Sequence, residues 1–272
     1  MKLSVIIPAH NEEKRIDITL KETDAYLEKQ NYDYEIIVVD NNSTDQTDQV
    51  AEALFKLSVE KARLIKETVP GKGAAVKAGI ANAVGDYIVF MDADNATPIS
   101  EIEKFWPFFD PAPFSPEVIN DIAQKHGGRV LQNYQVVIGS RYLRQSNVTH
   151  KQPWYRIVLS RLANFLIQAV AVPGVHDTQL GFKAFTLAAA RDIFSLVSIT
   201  GWGFDMEVLT IARKHKFRIK EVGVLWREFG GSHVPLKAYW QSLKDLGRIK
   251  LKSILGQYAP KPADKSAAKG EF

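Results

Sequence analysis

The residues best suited to chemistry are two carboxylates, Asp92 and Asp94, which are separated by a single alanine. They come at the end of Tyr87–Met91, an apolar run with the length of a buried strand. Mg²⁺ and Mn²⁺ prefer oxygen ligands, and proteins commonly hold them with one or two carboxylates together with the phosphates of a substrate. The pair therefore predicts a divalent metal site with Asp92 and Asp94 as ligands. The alternative is a turn in which both residues cap the following helix.

Two more polar segments follow predicted strands nearer the N-terminus. Residues 8–13 come after the apolar run Leu3–Ile7, and residues 40–45 come after Glu35–Val39. Ligands of parallel sheets bind beyond the carboxyl ends of the strands, so these segments should meet near Asp92. Each segment alone could be a loop that caps a helix. Three in succession at one edge of a sheet predict a site for a nucleoside.

Lys72 lies between Gly71 and Gly73 at the start of a predicted helix. A lysine at a helix N-terminus can place positive charge near a phosphate or a base. The segment is not a Walker loop, because the required spacing of glycine and lysine is missing, and no Gly-x-Gly-x-x-Gly follows the first strand. These absences from the sequence count against an ATPase and against a dinucleotide-binding protein.

Three later segments add charged residues. Arg141 follows the predicted strand Val136–Ile138 and offers a fixed cation at the same sheet edge, unless it is an exposed arginine in a surface turn. The segments Asp177–Lys183 and Trp202–Glu207 combine acidic, basic, aromatic and glycine residues. Asp205 could lie near a sugar with Trp202 as an apolar platform. The alternative is a helix that starts at Asp205 among core aromatic residues, which is the interpretation favoured for Phe204.

The composition is that of a globular protein. The chain has 272 residues, of which 46% are hydrophobic and 24% charged, enough for one large α/β domain. It has no cysteine, which excludes disulfides and thiolate zinc sites and fits a reducing compartment. A net charge of +4 does not suggest a nucleic-acid partner. No apolar run reaches the length of a membrane-spanning helix, and the short run after Met1 does not resemble a signal peptide.

Short β-branched runs alternate with amphipathic stretches, which predicts βαβ units and a mainly parallel sheet. From Trp154 onward the pattern predicts mostly helix. Three regions are expected: a domain at 1–235, a C-terminal amphipathic helical segment at 236–257, and a disordered tail at 258–272. The predicted strands are Leu3–Ile7, Glu35–Val39, Ala62–Lys66, Tyr87–Met91, Val136–Ile138 and Ile219–Trp226, and the predicted helices of the first half are Glu12–Gln30, Asp45–Leu57 and Lys72–Ala83.

Taken in order, these segments resemble the inverting glycosyltransferases of family 2. The likeness runs from Leu3 to about Lys252 and includes Glu221–Trp226 and the pair Gly231-Ser232. Within the family, these segments and Asp92–Thr97 look more like the dolichyl-phosphate β-glucosyltransferase branch than the mannosyl branch. Each segment alone is a weak signal, whereas the ordered set is specific.

The resemblance implies a GT-A fold, which is Rossmann-like with a mainly parallel sheet flanked by helices. It implies a nucleotide-sugar donor, most simply UDP-glucose, a polyprenyl phosphate acceptor, and Mg²⁺ or Mn²⁺ as cofactor. The first two loops would hold uracil and ribose, the metal would bridge the diphosphate, and Arg141 and Lys183 would meet phosphate oxygens. The implied nucleotide-binding residues are Pro8, Ala9, Asn11, Glu12, Asp40, Ser43, Lys72 and Asp92, and the implied catalytic residues are Asp94, Arg141, Asp177, Lys183 and Asp205.

The segment Leu236–Leu255 offers a possible membrane contact. Its apolar residues Leu236, Trp240, Leu243, Leu246, Ile249 and Ile254 fall on or near one helical face and are accompanied by five basic residues. Such a helix can lie on an anionic bilayer, or it can pack on the core with a solvated basic side. The first interpretation predicts a peripheral protein on the cytoplasmic face of a membrane, and Trp154–Val172 could contribute similarly.

Other functions remain open at the level of sequence. The sugar could be mannose from GDP-mannose, or the acceptor could be soluble or a polysaccharide. A homologue that binds a nucleotide without catalysis would keep the fold but not the reaction. The oligomeric state and the lipid length are not fixed by the sequence.

Overall fold

The structure, a computed structural model, describes residues 1–126, 130, 133–149, 164–227 and 236–260. Its first half alternates strand and helix as the sequence predicts. The predicted helix at 12–30 is shorter than expected, because residues 12–15 form a turn before it. The elements are β1 (Lys2–Ala9), α1 (Ile16–Leu27), β2 (Asp33–Asp40), α2 (Thr47–Leu57), β3 (Ala62–Lys66), α3 (Lys72–Asn82) and β4 (Tyr87–Met91).

The second half is less regular. Two 3₁₀ helices, Ile99–Lys104 and Trp106–Phe108, follow β4. Most of the predicted segment Trp154–Val172, together with Gly231-Ser232, lies outside the described residues. The further elements are α4 (Pro116–Lys125), β5 (Val136–Ser140), β6 (Asn147–Val148), β7 (Phe182–Thr186), α5 (Leu187–Leu196), α6 (Phe204–Lys214), β8 (Ile219–Gly223), β9 (Leu225–Trp226) and α7 (Leu236–Ile254).

The main sheet of the described chain has seven strands in the order β3-β2-β1-β4-β7-β5-β8. All neighbours are parallel except where β7 runs antiparallel to β4 and β5. The prediction of a mainly parallel sheet is confirmed. The prediction of mostly helix after Trp154 is wrong for β7, a short strand whose apolar pattern is interrupted by Lys183 and whose conformation is set by pairing on both sides.

The predicted strand Ile219–Trp226 is two strands in two sheets. β8 pairs with β5 in the main sheet, whereas β9 pairs with β6 in a separate two-stranded sheet. Gly223 ends β8 where the chain passes residues 145 and 146, and a Cβ there would lie 2.8 Å from the carbonyl carbon of Gln145. The glycine therefore permits a close crossing of two backbones, which a hydropathy pattern does not reveal.

Both faces of the sheet are covered by apolar clusters. In β1, Val5 and Ile7 belong to one cluster and Ile6 belongs to the other. In β4, Val89 and Phe90 divide in the same way. Strands that are buried on both faces have continuous apolar runs in their sequences, which is why these strands could be predicted clearly. The sheet is thus a rigid support that is buried on both faces.

The C-terminal helix α7 does not present its six predicted apolar residues on one face. Leu246 and Ile249 are buried in the core, whereas Trp240, Leu243 and Ile254 are exposed. Tyr258, which was assigned to the disordered tail, is buried and donates a hydrogen bond to Glu207 at 2.6 Å. Residues 261–272 lie outside the described chain. None of the described helices is long and apolar enough to cross a membrane.

Substitution of Gly79 tests how closely α3 packs on the sheet, and substitution of Gly247 in α7 is the control. A Cβ at Gly79 would collide with Ile6 and lie 3.2 Å from a methyl group of Val39, whereas a Cβ at Gly247 in α7 meets nothing within 4 Å. We expect Gly79→Ala to lower the free energy of unfolding by about 1–3 kcal/mol through overpacking. Gly247→Ala should raise it by about 0.5–1 kcal/mol, as alanine normally does in a helix. Urea unfolding followed by circular dichroism measures both, and equal stabilisation by the two substitutions would contradict the packing of α3.

Candidate active site

The charged residues singled out by the sequence lie at one edge of the sheet. The strands β1, β2, β4 and β5 end there, and β7 begins there because it runs in the opposite direction. The register places Ala9 beside Asp40 and Met91 beside Phe182. Lys183 stands between Phe90 of β4 and Ile138 of β5. Residues that are far apart in sequence are therefore brought to one place by strand order.

Asp92 and Asp94 form the acidic centre of this edge. Asp92 is ion-paired with Lys72, and its carboxylate lies against the backbone of Gly181, where a Cβ would collide with both oxygens. Asp94 accepts a hydrogen bond from the amide of Ala96 at 3.0 Å. Burial and the neighbouring charge of Asp92 raise the pKa of Asp94 above its usual range. A raised carboxyl pKa shows that negative charge here lacks full compensation, and an added cation would supply it.

The two carboxylates fit a metal that is completed by its substrate. In the described part of the chain, no group of three or more histidine, aspartate or glutamate side chains is arranged to hold an ion by itself. Mg²⁺ is commonly bound by one or two carboxylates plus substrate phosphates, so Asp92 and Asp94 match that ligand number. Metal ligation by these residues stays a prediction, and the donor chemistry agrees with it.

Glu12 contributes to the same acidic region but is already engaged. Its carboxylate receives two hydrogen bonds from Arg15, at 2.7 and 2.9 Å. Its amide donates to the hydroxyl of Thr47 at 2.7 Å. Burial raises the pKa of Glu12, the Arg15 charge opposes this, and Asp94 adds to the rise. Within this structure Glu12 therefore shapes the loop, while its predicted contact with a nucleotide is not tested.

The loops after β1 and β2 are tied to each other. Asn11, which has a left-handed φ of 58°, accepts a hydrogen bond from the amide of Thr44 at 2.8 Å. The hydroxyl of Ser43 accepts one from the amide of Asn11 at 3.0 Å. The Asn11 and Ser43 side chains thus fix the shape of the predicted nucleoside site. Pro8 lies in β1, and the Ala9 carbonyl that follows it accepts from the amide of Asn41 at 2.9 Å.

Asp40 has a carboxylate oxygen that is able to accept a further hydrogen bond. One of its carboxylate oxygens is buried and has no hydrogen-bond partner among the described residues. A buried carboxylate oxygen without a partner is costly, so a donor from a ligand would be favoured at this position. The ribose hydroxyls or the base amide of a nucleoside are donors of the right kind. Asp40 is therefore consistent with the predicted nucleotide-binding role.

Asn41 is a positioning residue that the sequence analysis did not select. Its side-chain nitrogen donates to the carbonyls of Glu67 and Val69, at 3.0 and 2.7 Å, and its side-chain oxygen accepts from the amide of Gly71 at 2.7 Å. It therefore holds the loop that leads into Lys72. The only sequence signal was its place in a run of polar residues, which helix capping could also explain.

Two of the first backbone amides of α3 are already bonded within the protein. The amides of Gly73 and Ala74 donate to the carbonyl of Thr200, at 2.7 and 3.3 Å. Gly71 has a φ of 122°, and a Cβ at Gly73 would lie 2.6 Å from both the Ile199 carbonyl oxygen and Phe204. The glycines are therefore required for close packing of residues 199–201 on the helix. The prediction that Lys72 places positive charge near a phosphate or a base stays a prediction.

Lys72 itself is directed into the site. Its ammonium group is paired with Asp92 and lies 5.9 Å from the ring centre of Trp202. Burial would lower the pKa of Lys72, but the charges of Asp92, Asp205 and Asp94 together raise it. Lys72 is consequently a firmly protonated cation at the acidic centre, where it can stabilise negative charge on a ligand.

Lys183 and Asp205 form a buried ion pair. The Lys183 ammonium is 2.5 Å from a carboxylate oxygen of Asp205 and 2.6 Å from the carbonyl oxygen of Leu180. Burial raises the pKa of Asp205, and the charges of Lys183 and Lys72 partly offset this. The contact of Lys183 with a phosphate remains a prediction, and it would require the ammonium to leave these partners or to act through Asp205.

Arg141 is oriented by Asp177. Its guanidinium makes two hydrogen bonds to the fully buried carboxylate, at 2.8 and 2.9 Å, and its amide makes a third at 3.0 Å. Burial alone would raise the pKa of Asp177, but Arg141 holds it below its usual range. Glu221 supports the pair by accepting from the Asp177 amide at 2.7 Å. Arg141 also stacks 5.4 Å from the ring centre of Trp226. It is therefore a fixed cation, as predicted, and not an exposed turn residue.

Glu207 is a second positioning residue that the sequence analysis left without a role. Its buried carboxylate accepts from the amides of Ser198 and Ile199, at 2.9 and 2.7 Å, and from the hydroxyl of Tyr258. The next residue, Thr200, caps α3. The available sequence signal was a glutamate among apolar residues of a helix, because a glutamate is almost never fully buried without a hydrogen-bonding or charged partner.

The predicted site residues therefore fall into two connected groups. One group is the acidic centre with its cations. Its members interact electrostatically with one another, and they are Lys72, Asp92, Asp94, Arg141 and Asp205. The loops that carry Asn11, Asp40 and Ser43 form the second group at the ends of β1 and β2. A cavity of 540 Å³ lies elsewhere, between residues 198–201 and α7. This arrangement can bind an anionic ligand with a metal and stabilise developing negative charge.

Comparison with known proteins agrees with this geometry. The family model for glycosyl transferase family 2 matches residues 4–120. The described fold also resembles the crystal structure of glucosyl-3-phosphoglycerate synthase from Mycobacterium tuberculosis in complex with Mn²⁺, uridine diphosphate and glucosyl-3-phosphoglycerate. The TM-score is 0.58 at 20% identity, covering 96% of this chain and 81% of that one. At this identity the likeness concerns the fold alone, which is GT-A.

The chain belongs to glycosyltransferase family 2 and is a glycosyltransferase of the GT-A fold. Within the family it is similar to dolichyl-phosphate beta-glucosyltransferases. It is 35% identical to the Homo sapiens protein of that name over 94% of this chain and 77% of the relative. It is 33% identical to the Saccharomyces cerevisiae protein over 94% and 76%, respectively. The resemblance inferred from the sequence is thus confirmed.

The buried pair gives a stability prediction. Removing one partner leaves an uncompensated buried charge, so we expect Lys183→Met and Asp205→Leu each to lower the free energy of unfolding by about 3–5 kcal/mol. The double variant should lose less than the sum of the two, because it buries no unpaired charge. Urea unfolding of all four proteins measures this coupling.

A matched control is the exposed pair Lys66–Asp48, whose ammonium and carboxylate groups are 2.7 Å apart. Lys66→Met should change the free energy of unfolding by no more than about 1 kcal/mol. Strict additivity of the Lys183 and Asp205 substitutions would show that the two side chains are not coupled in the folded protein.

Proposed function

We propose that this enzyme transfers glucose, with inversion at the anomeric carbon, from UDP-glucose to a polyprenyl phosphate of the dolichyl type. The similarity to dolichyl-phosphate beta-glucosyltransferases, which extends over nearly the whole chain, carries the choice of sugar and acceptor. The acidic centre with its three oriented cations supports the chemistry. The unpartnered Asp40 oxygen supports a nucleoside at the ends of β1 and β2.

Asp92 and Asp94 would hold Mg²⁺ or Mn²⁺ where the donor diphosphate binds. When bound, the metal would neutralise negative charge that develops on the leaving diphosphate. Lys72 stands beside Asp92 and adds a protonated group that needs no reorganisation. Arg141 adds a second fixed cation, whose direction is set by Asp177. Together these residues stabilise the leaving group more than the bound donor, which is the requirement for catalysis.

A phosphate acceptor fits the pairing of the acidic residues. Asp177 is committed to Arg141, and Asp205 is committed to Lys183. Neither carboxylate is arranged as a general base, since each already neutralises a cation. A phosphate is an anion before it reacts, so it can attack without losing a proton to the protein. We therefore assign Asp177 and Asp205 to positioning the cations, and not to proton abstraction.

The proposed reaction is tested by transfer of radiolabelled sugar. The purified protein is incubated with UDP-glucose or GDP-mannose, polyprenyl phosphate in detergent, and either Mn²⁺ or EDTA. We expect label in the lipid product only from UDP-glucose and only with metal. Lipid labelling from GDP-mannose would overturn the assignment of the sugar. Release of nucleotide without labelled lipid would overturn the assignment of the acceptor and leave the donor site intact.

The carboxylate pair gives a sharper prediction. We expect Asp92→Asn and Asp94→Asn each to reduce kcat/KM by about a hundredfold or more, because each removes a charged metal ligand. The melting temperature should change little or even rise for Asp94→Asn, whose carboxylate is buried beside the charge of Asp92, whereas Asp92→Asn also removes the partner of Lys72 and should lower it. Asp121→Asn, which removes an exposed carboxylate on α4, is the matched control and should retain full activity. Full activity of both site variants would refute the metal assignment.

A further inference from the structure

Helix α7 carries large apolar side chains on the side away from the core. Leu246 and Ile249 are buried, whereas Trp240, Leu243, Leu251 and Ile254 are 68%, 45%, 58% and 71% exposed, respectively. Residues three and four positions apart lie on one side of a helix, so these four form a continuous stripe, the α7 stripe. Gly247, which lies within it, adds no side chain to interrupt it. Contiguous exposed apolar surface of this kind marks an interaction site.

The charge around the α7 stripe has a single sign. Lys244, Arg248 and Lys250 are exposed beside it. Asp245 is the only acidic residue in the sequence of this helix, and its side chain is buried on the core side. Arg248 lies 3.6 Å from Asp245 but keeps two thirds of its side chain exposed. The outward side of α7 therefore presents apolar and basic groups together, which complements an anionic surface with an apolar interior.

We propose that α7 docks this protein on an anionic lipid bilayer. The α7 stripe lies in the boundary between headgroups and acyl chains, and the lysines and Arg248 meet the lipid phosphates. Trp240 suits that depth, since an indole is apolar over most of its surface and donates one hydrogen bond. This inference extends the proposed function. It rests on that function for one point, which is that the acceptor is embedded in a membrane. The exposed apolar side chains and the basic residues of α7 support the docking surface independently of the reaction.

The docking surface is connected to the active site through residues 198–203. A cavity of 540 Å³ separates α7 from this segment, and Arg248 and Lys252 line it on the helix side. Lys252 also donates to the hydroxyl of Ser198 at 2.5 Å. Thr200 caps α3, and the exposed Trp202 lies beside Lys72. A bilayer against α7 would therefore be linked through this helix to the segment that adjoins the acidic centre.

The alternative partner of the α7 stripe is a second copy of the chain. The following measurements distinguish a bilayer from a second copy. The wild-type protein is mixed with vesicles of phosphatidylcholine that contain phosphatidylserine but no polyprenyl phosphate, and bound protein is sedimented. We expect binding that falls as the salt rises from about 0.1 M to about 0.5 M, because basic residues contribute. Trp240→Ser combined with Leu251→Ser should weaken binding by about tenfold or more.

The control removes two equally exposed apolar residues elsewhere. Leu57→Ser combined with Ile18→Ser takes 81% and 54% exposed side chains from α2 and α1 and should leave vesicle binding unchanged. A charge variant, Lys244→Gln with Arg248→Gln, should reduce the salt dependence, whereas Lys29→Gln with Lys56→Gln should leave it unchanged. Circular dichroism and the melting temperature of every variant show whether it is folded before its binding is compared.

Failure of this inference is distinguishable from failure of the proposed function. Wild-type protein that does not sediment with anionic vesicles overturns membrane docking, whatever the enzyme does in detergent. A dimer in sedimentation velocity that dissociates in the Trp240/Leu251 variant also overturns it, in favour of an interface between copies. If docking holds, the same variant should lose transfer to polyprenyl phosphate in vesicles but keep transfer to a short, water-soluble isoprenyl phosphate.

Discussion

The structure depends on balancing several carboxylates that meet at one sheet edge. Asp92, Asp177 and Asp205 each sit within salt-bridge distance of a cation, and the three cations come from separate parts of the chain: Lys72 from α3, Arg141 after β5, and Lys183 from β7. Buried charges of one sign are tolerated only when opposite charges are held close to them. The strand order, the close contacts at the glycines and the hydrogen bonds between the loops all help to hold these charged groups together. Burial and the neighbouring charge of Asp92 raise the pKa of Asp94, and no cation of the chain forms a salt bridge with Asp94 among the described residues.

The reversed direction of β7 is the topological means to this end. A parallel strand in its place would carry its first residues to the opposite edge of the sheet, away from Asp92. Running antiparallel between β4 and β5, β7 starts at the active edge, so Lys183 reaches Asp205 and Gly181 allows the carboxylate of Asp92 to approach its backbone. The exception to the parallel pattern is thus part of how the site is built.

Sequence patterns predicted the elements that are set locally and missed those that are set by distant contacts. β3 and β4 were predicted with their observed bounds, because apolar runs between polar turns specify buried strands. β7 was missed because its second residue is a lysine, and the partner of that buried lysine, Asp205, lies 22 residues further along the chain. The charged residues of the sheet edge were selected by their types and by their places after predicted strands. The partners Asn41, Glu207 and Glu221 were given no role, since helix capping and exposed surface explain such residues equally well in one dimension.

The unanticipated residues explain how α7 can influence a site that it does not enter. Glu207 fixes residues 198 and 199 and also binds Tyr258, which follows α7, so both ends of this connection are anchored to one buried carboxylate. Thr200 then satisfies the first amides of α3 and thereby places Lys72 at Asp92. Because these links are hydrogen bonds to buried groups, a displacement of the segment would leave polar groups unpaired and is costly. A chain of hydrogen bonds therefore links the residue that follows α7 to the segment that places Lys72 at Asp92.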